Sequence, residues 1–166
     1  MKRVLFAIGQ THFFLWKLVR GEVKLGVQIL RCGWPNSRWE SKYLVLGQVK
    51  VHESEILLEL GGSLFSLRHS PQRDLFLKIS SGDEIGSTRY GVHAKKHLSP
   101  EDYDFWVRTK LELQDSYNPA LEDSVAVVSR RFGKGYVVQD GAHRLALRNL
   151  NGQVWEWVWL SIWSFR

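Results

Sequence analysis

The chain has 166 residues, 44% hydrophobic and 24% charged, with a net charge of +6. That length suits one domain, or one domain with an N-terminal elaboration, and buries a core without help from disulfides or metals. One cysteine, Cys32, excludes an intrachain disulfide framework and a Cys-rich zinc site, and no run approaches the roughly 18 consecutive apolar residues of a spanning helix.

The charge is unevenly placed. Residues 1–50 hold nine Lys/Arg and two Asp/Glu, a balance of +7, so the remaining residues carry fourteen and fifteen, a balance of −1. The N-terminal third is also aromatic: Phe13, Phe14, Trp16, Trp34 and Trp39 alternate with Lys17, Arg20, Lys24, Arg31, Arg38 and Lys42. Basic side chains interleaved with aromatic ones suit a polyanion or an anionic surface. They equally suit a strand-rich subdomain with solvated cations. Met1 to Ile8 imitates a signal peptide, but the apolar run stops at Gly9-Gln10-Thr11-His12 with no small-residue cleavage pattern behind it. A reducing cytoplasm is the expected compartment.

In chain order, His12 to Val19 reads as a short helix or a buried strand, and periodicity does not decide between them. Val23 to Leu30 favours a strand, and Gly33 to Ser37 a loop. Tyr43 to Leu46 and Gln48 to His52 read as paired strands around Gly47. Ile56 to Leu60 and Leu64 to Leu67 follow, so an antiparallel sheet is expected over the N-terminal half. Ser70-Pro71 then has the form of an N-cap and a first-turn proline, predicting a helix over 71–80. Gly82 to Ser87 reads as a polar loop. Ser99-Pro100-Glu101-Asp102 opens a second helix over 100–116, with acids in its first turn. Ser124 to Val128 and Tyr136 to Val138 form a predicted hairpin across Gly133-Lys134-Gly135. A helix over 142–150 follows, and Val154 to Trp163 closes with a strand. Alternation puts Trp155, Trp157 and Trp159 on one face of that strand, to pack in an interface or to stack a ligand. The whole reads as an α+β fold: a mixed sheet flanked by helices, with a basic, strand-rich elaboration over 1–60 and a second domain over 61–166 that contains the segment with most chemistry.

The segment richest in chemistry is Tyr136 to Asn149, Y-V-V-Q-D-G-A-H-R-L-A-L-R-N. A strand, a glycine turn and a helix start stand in the order that makes an anion site from free backbone N–H groups. Gly141 permits positive φ and close ligand approach, and Arg144 adds a guanidinium suited to bidentate phosphate contact. Asp140 could equally cap the helix, and a His-Arg pair in a first turn is often solvated surface.

Val138 to Leu147 resembles the D-G-x-H-R signature of the ParB/sulfiredoxin-like superfamily, through Asp140-Gly141-Ala142-His143-Arg144, with fainter likeness at Leu67 to Pro71 and Ser124 to Val128. Sulfiredoxin places a cysteine before its His-Arg pair, where this chain has Ala142. The partition-protein form continues into a basic helical domain, whereas this chain runs 22 residues past Arg144. The small-molecule kinase branch is therefore closest in form. The resemblance implies a nucleotide-dependent phosphotransferase acting on a small hydroxyl-bearing acceptor, such as a sugar or amino acid. ATP or another nucleoside triphosphate or diphosphate would be held by Gly141, Arg144, Arg68 and Arg73. Mg2+ would be held by Asp140, and His143 and Asp140 would be catalytic. His69 and Gln72 would lie on the substrate or nucleotide side. The general base is open among Asp83, Glu84, Glu122 and Asp123. The alternatives are a non-enzymatic nucleotide- or nucleic-acid-binding module and a nuclease, and the latter lacks the acidic cluster that two-metal hydrolysis needs.

Overall fold

The computed structural model describes residues 2–32, 41–118, 126–131 and 135–165. Among the described residues, five α-helices flank one seven-stranded mixed sheet. The helices are α1 (Lys2–Val19), α2 (Pro71–Ser80), α3 (Arg89–His97), α4 (Pro100–Ser116) and α5 (Ala142–Leu150). The strands are β1 (Val23–Cys32), β2 (Ser41–His52), β3 (Ile56–Leu60), β4 (Ser63–Ser66), β5 (Val127–Arg131), β6 (Gly135–Asp140) and β7 (Trp155–Phe165), in spatial order β1-β2-β7-β5-β6-β3-β4.

The expected α+β architecture holds, as do the three helices over 71–80, 100–116 and 142–150. Their starts follow from local chemistry. Ser70 and Ser99 cap α2 and α4 by accepting from the N–H groups of Arg73 and Asp102, each ahead of a first-turn proline. α3 was not legible as a helix. Its start depends on Thr88, whose hydroxyl accepts from the Gly91 N–H at 2.9 Å.

Three expectations in the N-terminal half need correcting. First, residues 2–19 form one continuous helix, which resolves the ambiguity at His12–Val19. Its inward side chains, Gln10, Phe13, Phe14 and Lys17, follow helical spacing but mix polar and apolar types, so hydropathy alone conceals the period. Second, Tyr43 to His52 lies within one strand, not two. Gly47 sits at a register shift between Val45 and Gln48, and a Cβ there would lie 2.2 Å from the Lys24 carbonyl.

Third, the N-terminal strands do not form a sheet of their own. β1 pairs with β2, and β3 with β4, but the two pairs stand at opposite ends of the strand order. His52 and Ile56 are joined by one 3-10 turn over Glu53–Glu55, a reach of at most about 14 Å. Four inter-strand spacings would separate them by roughly 19 Å in a flat sheet. The sheet therefore curls. Its concave side gathers Val49, Val51, Ile56, Leu58, Val128, Tyr136, Val158 and Leu160, closed by Phe13 and Phe14 from α1 and Leu145 from α5. Trp157 and Trp159 of β7 alternate onto the other face, where Trp159 packs with Tyr43, Val45 and Val127.

Glu53 holds the curl. It is buried at the β2–β3 corner, accepts from Arg68 Nη2 at 3.0 Å and is hydrogen-bonded by the Asn149 side-chain amide. Glu53→Ala leaves both donors without their carboxylate, so unfolding in urea should show a loss of about 2–3 kcal/mol with an unchanged denaturant slope. A two-state transition shifted by less than about 0.5 kcal/mol would show that the corner does not depend on it.

Candidate functional site

The strand-turn-helix unit read from the sequence is present. β6 ends at Asp140, Gly141 adopts φ 81° and ψ 13° as the N-cap, and α5 begins at Ala142. Gly141 contributes no side-chain cap, and the left-handed conformation explains glycine at this position. The Gly141 carbonyl accepts the first helical bond from the Leu145 N–H at 3.0 Å. Leu145 is fully buried in the curled sheet, and Ala146 and Leu147 pack with Phe76 of α2. These contacts orient α5 so that Asp140 and Arg144, both exposed, flank the turn.

His143 points the other way. Its ring lies 6.0 Å from Phe76 and 5.2 Å from Tyr90, centroid to centroid, and its Nε2 is buried with no hydrogen-bond partner. Burial, then the positive charge of Lys110, hold its pKa well below the usual imidazole value. The imidazole is therefore neutral at physiological pH.

Two further groups complete this cluster. Tyr90 packs on Trp106 at 5.4 Å, and the Lys110 ammonium lies 5.8 Å from the Trp106 ring. Lys110 is 5% exposed, and burial pulls its pKa down to about 8. Sequence reasoning missed both Tyr90 and Lys110. The signal for Lys110 was its spacing: Tyr103, Trp106 and Lys110 share the inward face of α4 at i, i+3 and i+7.

Arg68 and Arg73 are brought together, but not to the glycine turn. With His69, Ser70, Pro71, Asp74, Leu77 and Arg89 they line a cavity of about 380 Å³, to which no residue of 140–144 contributes. α2 and α5 run in opposite directions. Phe76, late in α2, meets His143, early in α5, whereas Arg68, just before α2, shares Glu53 with Asn149, late in α5. Arg144 and Asn149 are separated by roughly 8 Å along the helix axis. Arg73 Nη1 reaches the Arg68 carbonyl at 3.5 Å, and its Nε is buried with no partner. Gln72 is buried beside this cavity's lining residues, its Oε1 also without a partner.

Among the candidate bases, Asp83 accepts from Ser81 at 2.7 Å and from Lys78 at 3.0 Å, and these bonds lower its pKa. Glu84 is exposed and lies beside the Tyr103 hydroxyl. Glu122 and Asp123, like Trp34, Arg38 and Trp39, lie outside the described residues. Among the described residues no group of three or more His, Cys, Asp or Glu could hold a metal. The single carboxylate of Asp140 fits Mg2+ only in the manner of nucleotide sites, where phosphate oxygens and waters supply most ligands.

No family model, curated protein or solved structure matches the chain.

The neutral His143 has a consequence for stability. Its folded pKa is below the unfolded value near 6.5, so the unfolded chain takes up more protons as the pH falls. This contribution is complete above about pH 6.5 and is lost progressively below it. We expect His143→Leu, which suits the surrounding rings, to show a smaller drop in melting temperature between pH 7.5 and 5.5 than the wild type. Identical drops would place the proton uptake elsewhere.

Proposed function

We propose that the chain is a nucleotide-dependent phosphotransferase acting on a small hydroxyl-bearing acceptor, with the nucleotide phosphates held at the Gly141 turn. The observation that carries this reading is the left-handed glycine N-cap of α5, flanked by the exposed Asp140 and Arg144. The first-turn N–H groups and the positive end of the helix dipole favour an anion there. Arg144 supplies the guanidinium fork for the phosphate oxygens. Asp140 would hold Mg2+ together with the phosphates, and such an ion would supply positive charge to offset that of the transferring group. His143 is wedged between α2 and α3 and sets the angle at which the first turn of α5 meets the phosphates. The likeness of Asp140 to Arg144 to the kinase branch of the ParB/sulfiredoxin-like superfamily supports the same reading.

In the transfer itself, the acceptor hydroxyl oxygen forms a bond to the terminal phosphorus while the bond to the nucleotide's bridging oxygen breaks. The hydroxyl proton passes to a base, for which we take the exposed Glu84 over Asp83, whose carboxylate already accepts from Lys78 and Ser81.

A second reading, a nucleotide-binding module without catalysis, is favoured by the guanidinium-lined cavity at the start of α2. Binding without turnover would select it. In either case the basic residues 1–50 contact an anionic surface or polyanion and stand apart from the turn. No helix among the described residues is long and apolar enough to cross a membrane, and a cytoplasmic location belongs to the same reading.

Calorimetry with ATP, ADP, CTP and GTP, with and without Mg2+, tests the assignment. Arg144→Ala removes a charge-assisted bond of roughly 1.5–3 kcal/mol and should weaken nucleotide binding by about one to two decades. Arg144→Lys should recover only part. A wild type that binds no nucleotide, or an Arg144→Ala variant with unchanged affinity, ends the phosphotransferase reading.

A further inference from the structure

The helix α1 is turned inside out relative to an ordinary surface helix. Its inward face carries Gln10 and Lys17 beside Phe13 and Phe14. Gln10 behaves as a short stand-in strand: its Nε2 donates to the Arg130 carbonyl at 2.7 Å and its Oε1 accepts from the Arg130 N–H at 3.2 Å. Lys17 is paired with Glu22 and donates to the Lys50 carbonyl at 3.3 Å. The outward face is apolar. Leu5, Ile8, Leu15 and Val19 share that face at spacings of three, seven and four residues, interrupted by the exposed His12, with relative exposures of 61%, 60%, 54% and 89%. Trp16 is also exposed, with the Arg20 guanidinium 4.7 Å from its ring. The sheet edge strand β1, which α1 contacts, adds exposed Leu25, Val27 and Ile29.

A stable monomer has no reason to keep such a stripe in water. The surrounding charge indicates what covers it. Residues 1–50 carry nine cations against two anions, and Arg20 and Arg31 are exposed in the same segments as the apolar side chains. A second copy of the chain would bring two such positive segments together, which opposes self-association. A nucleic acid would satisfy the cations but leave the leucines and isoleucines in water. An anionic lipid interface satisfies both. Apolar side chains enter the acyl boundary, Trp16 sits at headgroup level, and the lysines and arginines meet the phosphate and carboxylate headgroups.

We propose that the outward face of α1, with the adjoining edge strand β1, docks the protein on an anionic membrane surface. This rests on the reading that residues 1–50 contact an anionic surface, and it names that surface. It does not depend on nucleotide binding at Gly141.

Vesicle co-sedimentation of the full chain tests it, comparing pure phosphatidylcholine with phosphatidylcholine containing about one-third phosphatidylserine. We expect binding only to the anionic vesicles, weakened by salt, and a loss of at least about tenfold in the double variant Ile8→Gln, Leu15→Gln. Both positions are exposed and the net charge is unchanged, so melting temperature and nucleotide-induced thermal shift should match the wild type. Three outcomes overturn the proposal: no preference for anionic vesicles, equal binding by the double variant, or a wild-type dimer that the double variant abolishes without any vesicle binding. Retention on single-stranded oligonucleotides but not on vesicles would assign the basic segment to nucleic acid instead. The nucleotide shift, read in the same samples, reports separately on the phosphotransferase reading.

Discussion

The corner at Glu53 is the constraint on which the rest of the molecule depends. A single 3-10 turn joins two strands that stand four places apart in the sheet, so the sheet curls and creates one concave core. The carboxylate at that corner binds Arg68, from the segment leading into α2, and Asn149, from the end of α5. One buried group thus ties the sheet to the start of α2 and the end of α5. It also explains why Arg68 is committed to structure at one end of α5 while the glycine turn opens at the other.

Buried ionisable groups are unusually prominent on the helical side of the sheet. Lys110 and His143 share an aromatic pocket with Tyr90 and Trp106. Close to the other end of α5, Glu156 is 1% exposed and receives Arg148 Nε at 2.8 Å. Burial still pushes the Glu156 pKa up to about 7, outweighing the guanidinium, because a carboxylate enclosed in a strand loses more solvation than one partner restores. Such groups are kept at a cost in stability. The α5 helix carries two of these cationic or titratable residues on faces that its apolar residues fix in place.

The N-terminal third solves a different problem. Its helix must cover the edge of β5, whose pairing with β7 runs through Val127 and Val128, and Gln10 meets the backbone of Arg130 just beyond. Turning a glutamine and a lysine inward leaves the leucines and isoleucine of the same helix outside. The tryptophans of β7 likewise carry cations: Lys24 lies 4.6 Å from the ring of Trp157, and Lys50 lies 5.3 Å from that of Trp155. Positive charge and aromatic surface are thereby coupled throughout this part of the fold.

Local chemistry made much of the molecule legible in advance. Ser70-Pro71 and Ser99-Pro100 define their helices within one turn of chain, and Asp140-Gly141 defines the strand-to-helix turn, because caps and positive-φ glycines act over a few residues. The α+β class and the strand at Tyr136–Val138 followed from the same short-range signals. Strand order, the antiparallel placement of α2 against α5, and the partners of Lys110 and His143 were decided only by tertiary structure. Those features depend on contacts between residues far apart in the chain, such as Glu53 with Asn149, and no local propensity encodes a partner 96 positions away. The inverted face of α1 belongs to the same class. Hydropathy predicts that Lys17 is solvated and Leu15 buried, and only the hydrogen-bonding groups of Lys50, Glu22 and Arg130, brought beneath the helix by the curled sheet, reverse that order.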